Sequence, residues 1–395
     1  MSEAQLFIST FNCGKKTPTN AEFTKHLNEK LPEEASDLYV FGFQEVTSIL
    51  DATDENVVNK KLIWIADNLI TCLENRYEMQ SFAVVSIAHF GAVGLIIVSP
   101  FISKIHKIYK SRGYPVGTFC TNLKGGVGVR LTYESAEFTF VCMHLNAGEK
   151  VQHMLRRNQD LYNVFSKLIF DDGWCVLKPD AHCFIFGDLN YRATGAFGLV
   201  PKGLDFDETE NREGTENCDP AFIFKKDELS LLQKGGLILQ DFEEPAICFK
   251  PSYKFHIGTK NYHRNRIPSY CDRILYLGYP ESSKTPKYKA VAYDTITECL
   301  FSDHLPVYMI VNVSLTAPER IINDAGYLID RTTQLNEFSK SYKAVGYSRY
   351  ILRVSSFTTS MLGTLLYLST TNRGRMVSLA FAILVYTLLK WKELL

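Results

Sequence analysis

The chain has 395 residues, of which 46% are hydrophobic and 13% aromatic, so a disordered chain is excluded and a packed core is expected. The 43 lysines and arginines balance the 43 aspartates and glutamates, which argues against nucleic-acid binding because that binding depends on clustered cations. The ten cysteines contain no CxxC pair, as in a protein kept reduced, so neither a disulfide scaffold nor a zinc ribbon is predicted.

Apolar runs of strand length recur through the first three hundred residues, and the amino terminus has no feature of a secretory signal. The runs predict nine strands, at Leu6 to Phe11, Leu38 to Phe43, Phe82 to Ala88, Val93 to Val98, Val127 to Tyr133, Phe138 to Met143, Cys183 to Phe186, Ile274 to Leu277 and Val307 to Val313. Helical periodicity predicts three helices, at Val57 to Leu73, Val151 to Ile169 and Phe222 to Leu232. Many strands with few, unevenly placed helices indicate an α+β fold, a two-sheet core with helices outside.

Two polar stretches interrupt this pattern. Asp205 to Asp219 is acidic and aperiodic, so it is predicted to be a solvated loop, with an acidic metal site as the alternative. Thr316 to Tyr350 is irregular and predicts a linker that lets the preceding domain reach over a membrane surface. Ser356 to Leu368 is weakly apolar and predicts at most an interfacial helix. The predicted units are therefore a folded domain at 1–315, a linker at 316–374 and an anchor at 375–395.

The last segment is the most apolar part of the chain, because Met376 to Leu389 carries no charge. Cations that can reach lipid headgroups flank it, namely Arg373, Arg375, Lys390 and Lys392. Arg375 to Leu395 therefore predicts a helix that crosses a thin bilayer such as that of the endoplasmic reticulum. We expect a tail anchor there with the rest of the chain in the cytosol. The outer mitochondrial membrane is the alternative location, and a terminal helix buried against the domain is the alternative structure.

Polar residues of catalytic type stand where the predicted strands end. These residues are Asn12, Glu45, His144, Asn146, Asp188 and Asn190, and Asp303 and His304 precede the last strand. Any one of them is more often an ordinary turn residue. Because rigid strand ends can hold side chains on a common rim, we expect the whole set to converge on one site.

The residue types favour metal-assisted hydrolysis of a phosphate ester. Glu45 and Asn12 offer hard oxygen ligands without sulfur, which suit Mg²⁺ rather than zinc. Asp188 is predicted to be a general base that activates a water, and Asn190 to orient that water or the phosphoryl group. The reaction would be a single-step hydrolysis, in which positioning and charge stabilisation supply the catalysis.

Two histidines complete the predicted chemistry. His144 and His304 can donate hydrogen bonds to phosphate oxygens. Asp303 is predicted to hold and charge its neighbouring imidazole or another close partner. No serine or cysteine nucleophile with a local signature competes with this interpretation.

Six blocks, in order, resemble the signatures of the inositol polyphosphate 5-phosphatases. They are TFN (10–12), GFQE (42–45), GDLNYR (187–192), KPSYKF (250–255), RIPSYCDRIL (266–275) and SDHLPV (302–307). The GDLN and SDHLP blocks fit the whole endonuclease/exonuclease/phosphatase superfamily, whereas SYCDRIL and PSYKF narrow the resemblance. It implies a four-layer α/β sandwich. The hydrophobic tail is similar to that of tail-anchored fungal members of this family at the endoplasmic reticulum.

The resemblance also implies roles for individual residues. The metal would be bound chiefly by Glu45 with Asn12 beside it, and Tyr253 and Lys254 would contact the 4-phosphate together with Arg264 or Arg266. The residues that would act on the 5-phosphate, by the same resemblance, are His144, Asp188, Asn190 and His304. The complete set assigned to substrate binding is Lys124, Asn146, Arg192, Tyr253, Lys254, Arg264 and Arg266. Lys124 lies in a loop thought in this family to approach membrane lipid.

These observations together predict a monomeric, Mg²⁺-dependent phosphatase that acts on a phosphoinositide lipid. It would remove the 5-phosphate of phosphatidylinositol 4,5-bisphosphate, leaving phosphatidylinositol 4-phosphate, at the cytosolic face of a membrane. Two alternatives stay open. One is a phosphodiesterase with the same metal site, either a nuclease or a sphingolipase, and the other is a catalytically silent lipid-binding or tethering protein.

Overall fold

The structure, a computed structural model, describes residues 2–195, 220–239, 242–278, 288–317 and 347–392. The predicted acidic loop at Asp205 to Asp219 lies outside these residues, as does 318–346, which makes up most of the polar stretch from Thr316 to Tyr350.

The described residues form thirteen strands. They are β1 Glu3–Asn12, β2 Leu38–Gln44, β3 Ala83–Phe90, β4 Val93–Ser99, β5 Ile105–Lys110, β6 Tyr114–Pro115, β7 Gly125–Tyr133, β8 Ala136–His144, β9 Ala181–Asp188, β10 Phe242–Glu243, β11 Asp272–Leu277, β12 Tyr288–Thr295 and β13 Val307–Ser314. The nine predicted strands are confirmed, with Phe82 lying one residue before β3. The additional strands β5, β6, β10 and β12 are short or lie at sheet edges, where the buried apolar pattern that reveals a strand is weak.

Seven α-helices accompany the strands in the same residues. They are α1 Lys25–Asn28, α2 Glu55–Arg76, α3 Val151–Lys167, α4 Pro220–Lys225, α5 Glu228–Lys234, α6 Tyr347–Thr370 and α7 Asn372–Lys392. Single turns occur at Asn20–Thr24 (π), and at Asp51–Thr53, Ile102–Lys104 and Thr118–Cys120 (3₁₀). The prediction of one helix at Phe222 to Leu232 is wrong, because Asp227 adopts an extended conformation and its carboxylate caps α5 by accepting from the Ser230 amide.

The strands form two sheets. The six-stranded sheet has the order β12-β13-β1-β2-β4-β3, and only its β1–β2 pair is parallel. The seven-stranded sheet has the order β10-β11-β9-β8-β7-β5, with β6 paired to β7, and only its β8–β9 pair is parallel. Each sheet thus has one central parallel pair, and the strands of that pair end at the same edge.

Side-chain alternation along the strands separates the core into three layers. Leu6 and Ile8 of β1 belong to an apolar cluster shared with the second sheet, whereas Phe7 belongs to a cluster shared with α2. A third cluster joins the seven-stranded sheet to α3 and α5. The sheets approach closely at Gly42, where an added Cβ would lie 2.5 Å from the Phe186 ring. The predicted four-layer sandwich of helix, sheet, sheet and helix is confirmed.

The carboxyl-terminal part is helical. The weakly apolar segment at Ser356 to Leu368 lies inside α6, of which Ser348–Thr370 is long and apolar enough to cross a membrane, by length and composition alone. The predicted anchor begins inside α7. Arg375 donates from Nε to the Ser369 carbonyl (3.0 Å) and so helps to cap α6.

Candidate active site

The predicted site residues converge at one edge of the two sheets because the parallel pairs place their strand ends together. Asn12 is the last residue of β1, and Glu45 follows β2 directly. His144 and Asp188 end β8 and β9 and are paired in register. A cavity of about 170 Å³ opens at this edge. Its lining consists of Asn12, Lys15, Glu45, Lys124, His144, Ala147, Asp188, Asn190, Arg192, Tyr253, Lys254, Asp303 and His304.

Asp188 is the centre of the cluster and is 1% exposed. Its Oδ2 accepts a hydrogen bond from Asn12 Nδ2 (2.9 Å) and lies 3.3 Å from His144 Nε2. Its Oδ1 accepts the Asn190 amide (3.0 Å). Burial alone would raise the pKa of Asp188, but the hydrogen bond with His144 and the charges of His304, His144 and Lys124 hold it well below its usual range. Asp188 is therefore ionised at neutral pH.

His304 lies on the other side of Asp188, with its Nε2 at 4.0 Å from Asp188 Oδ2. Its Nδ1 pairs with Asp272 Oδ2 at 2.8 Å, and the same oxygen accepts a hydrogen bond from the Ser252 hydroxyl (2.7 Å). This carboxylate holds the imidazole in place and directs Nε2 into the cavity. The arrangement presents His304 as a hydrogen-bond donor towards a bound phosphate.

The charge of His304 follows from its neighbours. Burial alone would lower the pKa of His304, but the carboxylates of Asp272, Asp188 and Asp303 outweigh it and raise that pKa to about 9. Burial also raises the pKa of the Asp272 carboxyl, so the two groups share one proton at neutral pH. We place it on the imidazole, because the two further carboxylates stabilise a positive charge there.

Lys124 and His144 also form part of the cavity wall. Lys124 Nζ lies 2.5 Å from His144 Nε2 and donates to the Leu145 carbonyl (3.0 Å). Burial lowers the pKa of Lys124 below its ordinary value, although the charges of Asp188 and Glu45 oppose this. Lys124 thus brings its amine to the cavity wall, next to the ionised Asp188, whose charge favours the protonated form of the amine.

Arg192 lies between Asn190 and Tyr253, which is one of the residues predicted to contact the 4-phosphate. It is 3% exposed, contacts Asn190 Oδ1 through Nη2, and donates from Nε to the Asn190 carbonyl (3.1 Å). Its guanidinium lies 4.3 Å from the Tyr253 ring centroid. The Tyr253 ring in turn lies 4.5 Å from the His304 ring. Arg192 therefore lines the cavity and also holds Asn190, whose φ of 58° is uncommon for a residue with a side chain.

Lys254 also lines the cavity, and its Nζ pairs with Asp303 Oδ2 at 2.8 Å. Asp303 is predicted to hold and charge its neighbouring imidazole or another close partner; it pairs directly with Lys254, while its charge also helps to raise the pKa of His304. Burial alone would lower the pKa of Lys254, but Asp303 outweighs it and raises that pKa above its ordinary value. Lys254 is charged and half-buried at the cavity mouth.

Three residues assigned to substrate binding do not line the cavity. Asn146 donates from Nδ2 to Asp160 Oδ2 (2.6 Å), which ties its loop to α3. Arg264 and Arg266 are exposed, and Arg266 Nη1 lies 3.5 Å from Glu149 Oε1. The positive charge of Arg266 nevertheless acts to lower the pKa of Lys254. Both arginines therefore lie outside the cavity lining, on the segment that follows Lys254.

The residues present fit a hard divalent cation. Glu45 is 27% exposed at its side chain, and its Oε1 lies 4.0 Å from His144 Nε2, on the cavity side. Asn12 Oδ1 accepts one amide hydrogen bond, from Gly14, and has a second lone pair. Asp188, Asp272 and His304 also lie close enough together to hold an ion, but His304 Nδ1 and Asp272 Oδ2 bond each other, and Asp272 does not line the cavity. Glu45 and Asn12 both line the cavity and are the better pair.

Sequence reasoning missed two members of the site. Asp272 opens β11 and is paired in register with Asp188, so the strand-end rule that found Asp188 applies to it as well. Asp272 lies in the RIPSYCDRIL block, but the resemblance assigns it no individual role. Lys15 lines the cavity from the loop after β1, where the sequence has no distinguishing signal.

The sequence matches endonuclease/exonuclease/phosphatase family 2 over residues 9–310, and the chain belongs to this family. It is 28% identical over 330 residues to the phosphatidylinositol 4,5-bisphosphate 5-phosphatase INP51 of Saccharomyces cerevisiae, covering 80% of this chain and 32% of that protein. It is also 28% identical over 366 residues to the type I inositol polyphosphate 5-phosphatase 8 of Arabidopsis thaliana, covering 79% of this chain and 71% of that protein. The resemblance to inositol polyphosphate 5-phosphatases is thus confirmed, although the chain spans only about a third of the yeast relative.

Solved structures show the same fold. The inositol polyphosphate 5-phosphatase domain of spsynaptojanin, in complex with inositol (1,4)-bisphosphate and a calcium ion, has a TM-score of 0.63 at 23% identity, covering 79% of this chain and 84% of that one. The Cimex nitrophorin ferrous NO complex has a TM-score of 0.55 at 19% identity, covering 80% and 99%. Because a nitrophorin shares the fold, the fold by itself does not decide the activity, and the site residues have to.

Proposed function

We propose that the protein is a Mg²⁺-dependent phosphoinositide 5-phosphatase that converts phosphatidylinositol 4,5-bisphosphate to phosphatidylinositol 4-phosphate. One observation supports this most directly: the pair of Asp188 and protonated His304 shares a cavity with Lys124, Arg192 and Lys254. An acid–base pair beside the Lys124 amine and the two cations Arg192 and Lys254 suits a substrate that carries more than one phosphate. The names of the relatives point to the same substrate class.

In the proposed reaction, a water attacks phosphorus and the ester bond to the inositol 5-oxygen breaks. Asp188, which is ionised, accepts a proton from the attacking water, and Asn190 orients that water. His304 donates from Nε2 to a phosphoryl oxygen, where negative charge develops. The inositol 5-oxygen gains a proton from solvent, and Asp188 returns its proton to solvent. One water is consumed, and the products are the inositol hydroxyl and inorganic phosphate.

Mg²⁺, when bound by Glu45 and Asn12, would neutralise phosphate charge and polarise the phosphoryl group. Asn12 also donates to Asp188, so it links the metal position to the carboxylate that handles the water. Glu45 has a φ of 50°, a conformation that costs a residue with a side chain on the order of 1–3 kcal/mol. That cost is consistent with a functional position for Glu45.

The second phosphate would be bound by Lys254 and Tyr253. Lys254 is a charged donor at the cavity mouth, and the Tyr253 ring lies directly against His304. An inositol ring whose 5-phosphate contacts His304 would therefore place a neighbouring phosphate near Lys254. This arrangement favours substrates with vicinal phosphates.

We further propose that the carboxyl-terminal helices hold the protein on a membrane, with the cavity on the cytosolic side. The end of α6 exposes Leu365, and α7 exposes large apolar side chains such as Met376, Leu379 and Phe381. Anchoring would raise the local concentration of a lipid substrate without changing the active site. The endoplasmic reticulum is the membrane proposed, because the uncharged run is short and suits a thin bilayer.

The proposal is tested by phosphate release from phosphatidylinositol 4,5-bisphosphate, phosphatidylinositol 4-phosphate and the matching soluble inositol phosphates, with Mg²⁺ or with EDTA. We expect release from substrates that carry a 5-phosphate, and its loss when the metal is removed. Asp188→Asn, which keeps the side-chain shape, should lower the rate at least about a hundredfold. The Lys60→Ala variant, altered on the exposed surface of α2, is the matched control.

Two results would contradict the proposal. Hydrolysis of sphingomyelin or of an abasic DNA duplex, with none of the inositol lipid, would identify a phosphodiesterase. No release from any substrate in the presence of Mg²⁺ would favour a silent lipid-binding protein.

A further inference from the structure

Helix α6 packs against the folded domain along one face. Ser348, Ser355 and Thr359 are only 3%, 2% and 4% exposed, and their spacing of seven and four residues places them on the same side of the helix. Gly363 continues this face, since an added Cβ there would lie 2.5 Å from Thr53 Oγ1. The first two thirds of α6 are thus docked through small and polar residues.

The docked face holds one residue of the loop that leads to the cavity. Thr359 Oγ1 accepts a hydrogen bond from the backbone amide of Asn122 at 3.1 Å. Asn122 is 6% exposed, and its carbonyl oxygen lies 2.0 Å from the position of a Cβ added at Gly91. Its Nδ2 donates to the Ala52 carbonyl at 3.5 Å. Asn122 is therefore held between α6, the 3₁₀ turn at Asp51–Thr53 and the β3–β4 turn.

Lys124 follows two residues later and reaches the active site. Its carbonyl accepts the amides of Val116 (3.0 Å) and Gly117 (3.2 Å), which fixes its backbone. Its Nζ contacts His144 and the Leu145 carbonyl, as described above. A short and mostly buried path therefore runs from Thr359 through Asn122 to the cation in the cavity wall.

We propose that Thr359 is a positioning residue for the reaction: α6 clamps Asn122 and so holds Lys124 against His144. The catalytic part of this inference rests on the proposed function, whereas the docking part does not. The docked arrangement excludes a membrane-spanning α6 at the same time, because a span would remove Thr359 from Asn122. α6 is then an element of the catalytic unit, and its end beyond Gly363, together with α7, is left to contact lipid.

The test uses the full chain in nanodiscs or detergent micelles and three variants. Thr359→Val removes the hydroxyl with little change of shape, and Thr359→Ser restores it. Thr364→Val is the matched control, because Thr364 is exposed on α6 and bonds only within the helix, to the Ser360 carbonyl. Hydrogen exchange of a peptide covering 118–124 reports on the Asn122 amide, and the kinetics of a soluble inositol trisphosphate report on the cavity without any membrane effect.

We expect the Asn122 region to exchange about five- to tenfold faster in Thr359→Val than in the wild type, as for the loss of one hydrogen bond. kcat on the soluble substrate should fall about three- to tenfold, with the midpoint of thermal unfolding unchanged. Thr359→Ser should restore both values, and Thr364→Val should change neither.

Two outcomes would overturn the inference. If the wild type and Thr359→Val exchange equally fast at 118–124, α6 is not docked there. If exchange changes and kcat does not, the contact is structural and positions nothing. A wild type that releases no 5-phosphate but protects Asn122 would refute the proposed substrate while supporting the docking.

Discussion

The charges beside α5 and those in the cavity are two of the buried charge clusters in the described residues, and only the second borders the cavity. Beside α5, Arg273 is fully buried, with Nη1 at 2.8 Å from Asp227 Oδ2 and Nε at 2.8 Å from Glu244 Oε1. In the cavity, His304 is also buried and pairs through Nδ1 with Asp272, but its Nε2 is 4.0 Å from Asp188. Similar burial and similar charge therefore serve two different ends.

The difference lies in where the donors point. Arg273 spends its donors on carboxylates and on Ser230 within the protein, so its bonds join β11 to the start of α5. His304 bonds Asp272 through Nδ1 and directs Nε2 towards the cavity. We conclude that the first cluster stabilises the fold, whereas the second keeps a donor available to bind a ligand. Substitutions in the first cluster should therefore change stability, and substitutions in the second should change activity.

The largest effect is expected from Arg273→Ala. Removing Arg273 leaves the buried Asp227 and the partly buried Glu244 without their cation, which should lower the free energy of unfolding by about 3–5 kcal/mol. Denaturant unfolding measures this, with Lys60→Ala, on the exposed surface of α2, as the control. If Arg273→Ala has normal stability but has lost activity, the Arg273 cluster serves the reaction and not the stability of the fold.

His304→Ala should show the reverse pattern. We expect kcat/KM to fall about 10²- to 10³-fold, because a donor to the developing phosphoryl charge is lost, while the free energy of unfolding should fall less than in Arg273→Ala, because Asp272, whose pKa is raised by burial, can take up a proton. His256→Ala is the matched control, since His256 is exposed and stacks on His263 away from the cavity. Equal losses of activity in both variants would remove His304 from the proposed mechanism.

Lys254→Ala tests which substrate phosphate is recognised. The loss of a charged donor should lower kcat/KM about tenfold for substrates that carry a 4-phosphate, and much less for those without it. Lys260→Ala, at an exposed lysine of the same segment that pairs with Glu298, serves as control. An unchanged ratio between the two kinds of substrate would exclude Lys254 from 4-phosphate binding.

The smallest effect concerns pH. The pKa of His304 is about 9 and the proposed donor is the protonated imidazole, so kcat/KM should be retained below that pH and fall about tenfold per unit above it. Asp272→Asn removes the largest of the charges that raise this pKa, so the decline should begin at a lower pH. A basic limb that does not move would show that another group titrates there.

Much of the site could be predicted from the sequence because strand ends are local features. Alternating apolar residues located β1, β2, β8 and β9, and the residues that end those strands proved to share one cavity. The assignment of Asn146 followed the same rule, but its amide faces α3 and bonds Asp160. A position at a strand end therefore indicates the rim, and does not say on which side of the rim a side chain points.

The pairing of His304 could not be obtained in that way. Asp303 is its neighbour in the chain, but it lies in a bend and bonds Lys254. The carboxylate that holds the imidazole is Asp272, 32 residues away. Likewise, Arg264 and Arg266 lie close to Lys254 in sequence but stay outside the cavity lining.

The sequence by itself determined nine of the strands, their apolar faces and the chemical groups at their ends, because these depend on propensity and periodicity over a few residues. Tertiary structure decided the partners: Asp272 for His304, Asp303 for Lys254, and Thr359 for Asn122. Each of these contacts joins residues at least 32 positions apart, and only the packing of the two sheets and α6 sets such distances. The protonation of His304 is likewise a consequence of that packing, since it depends on three carboxylates from three parts of the chain.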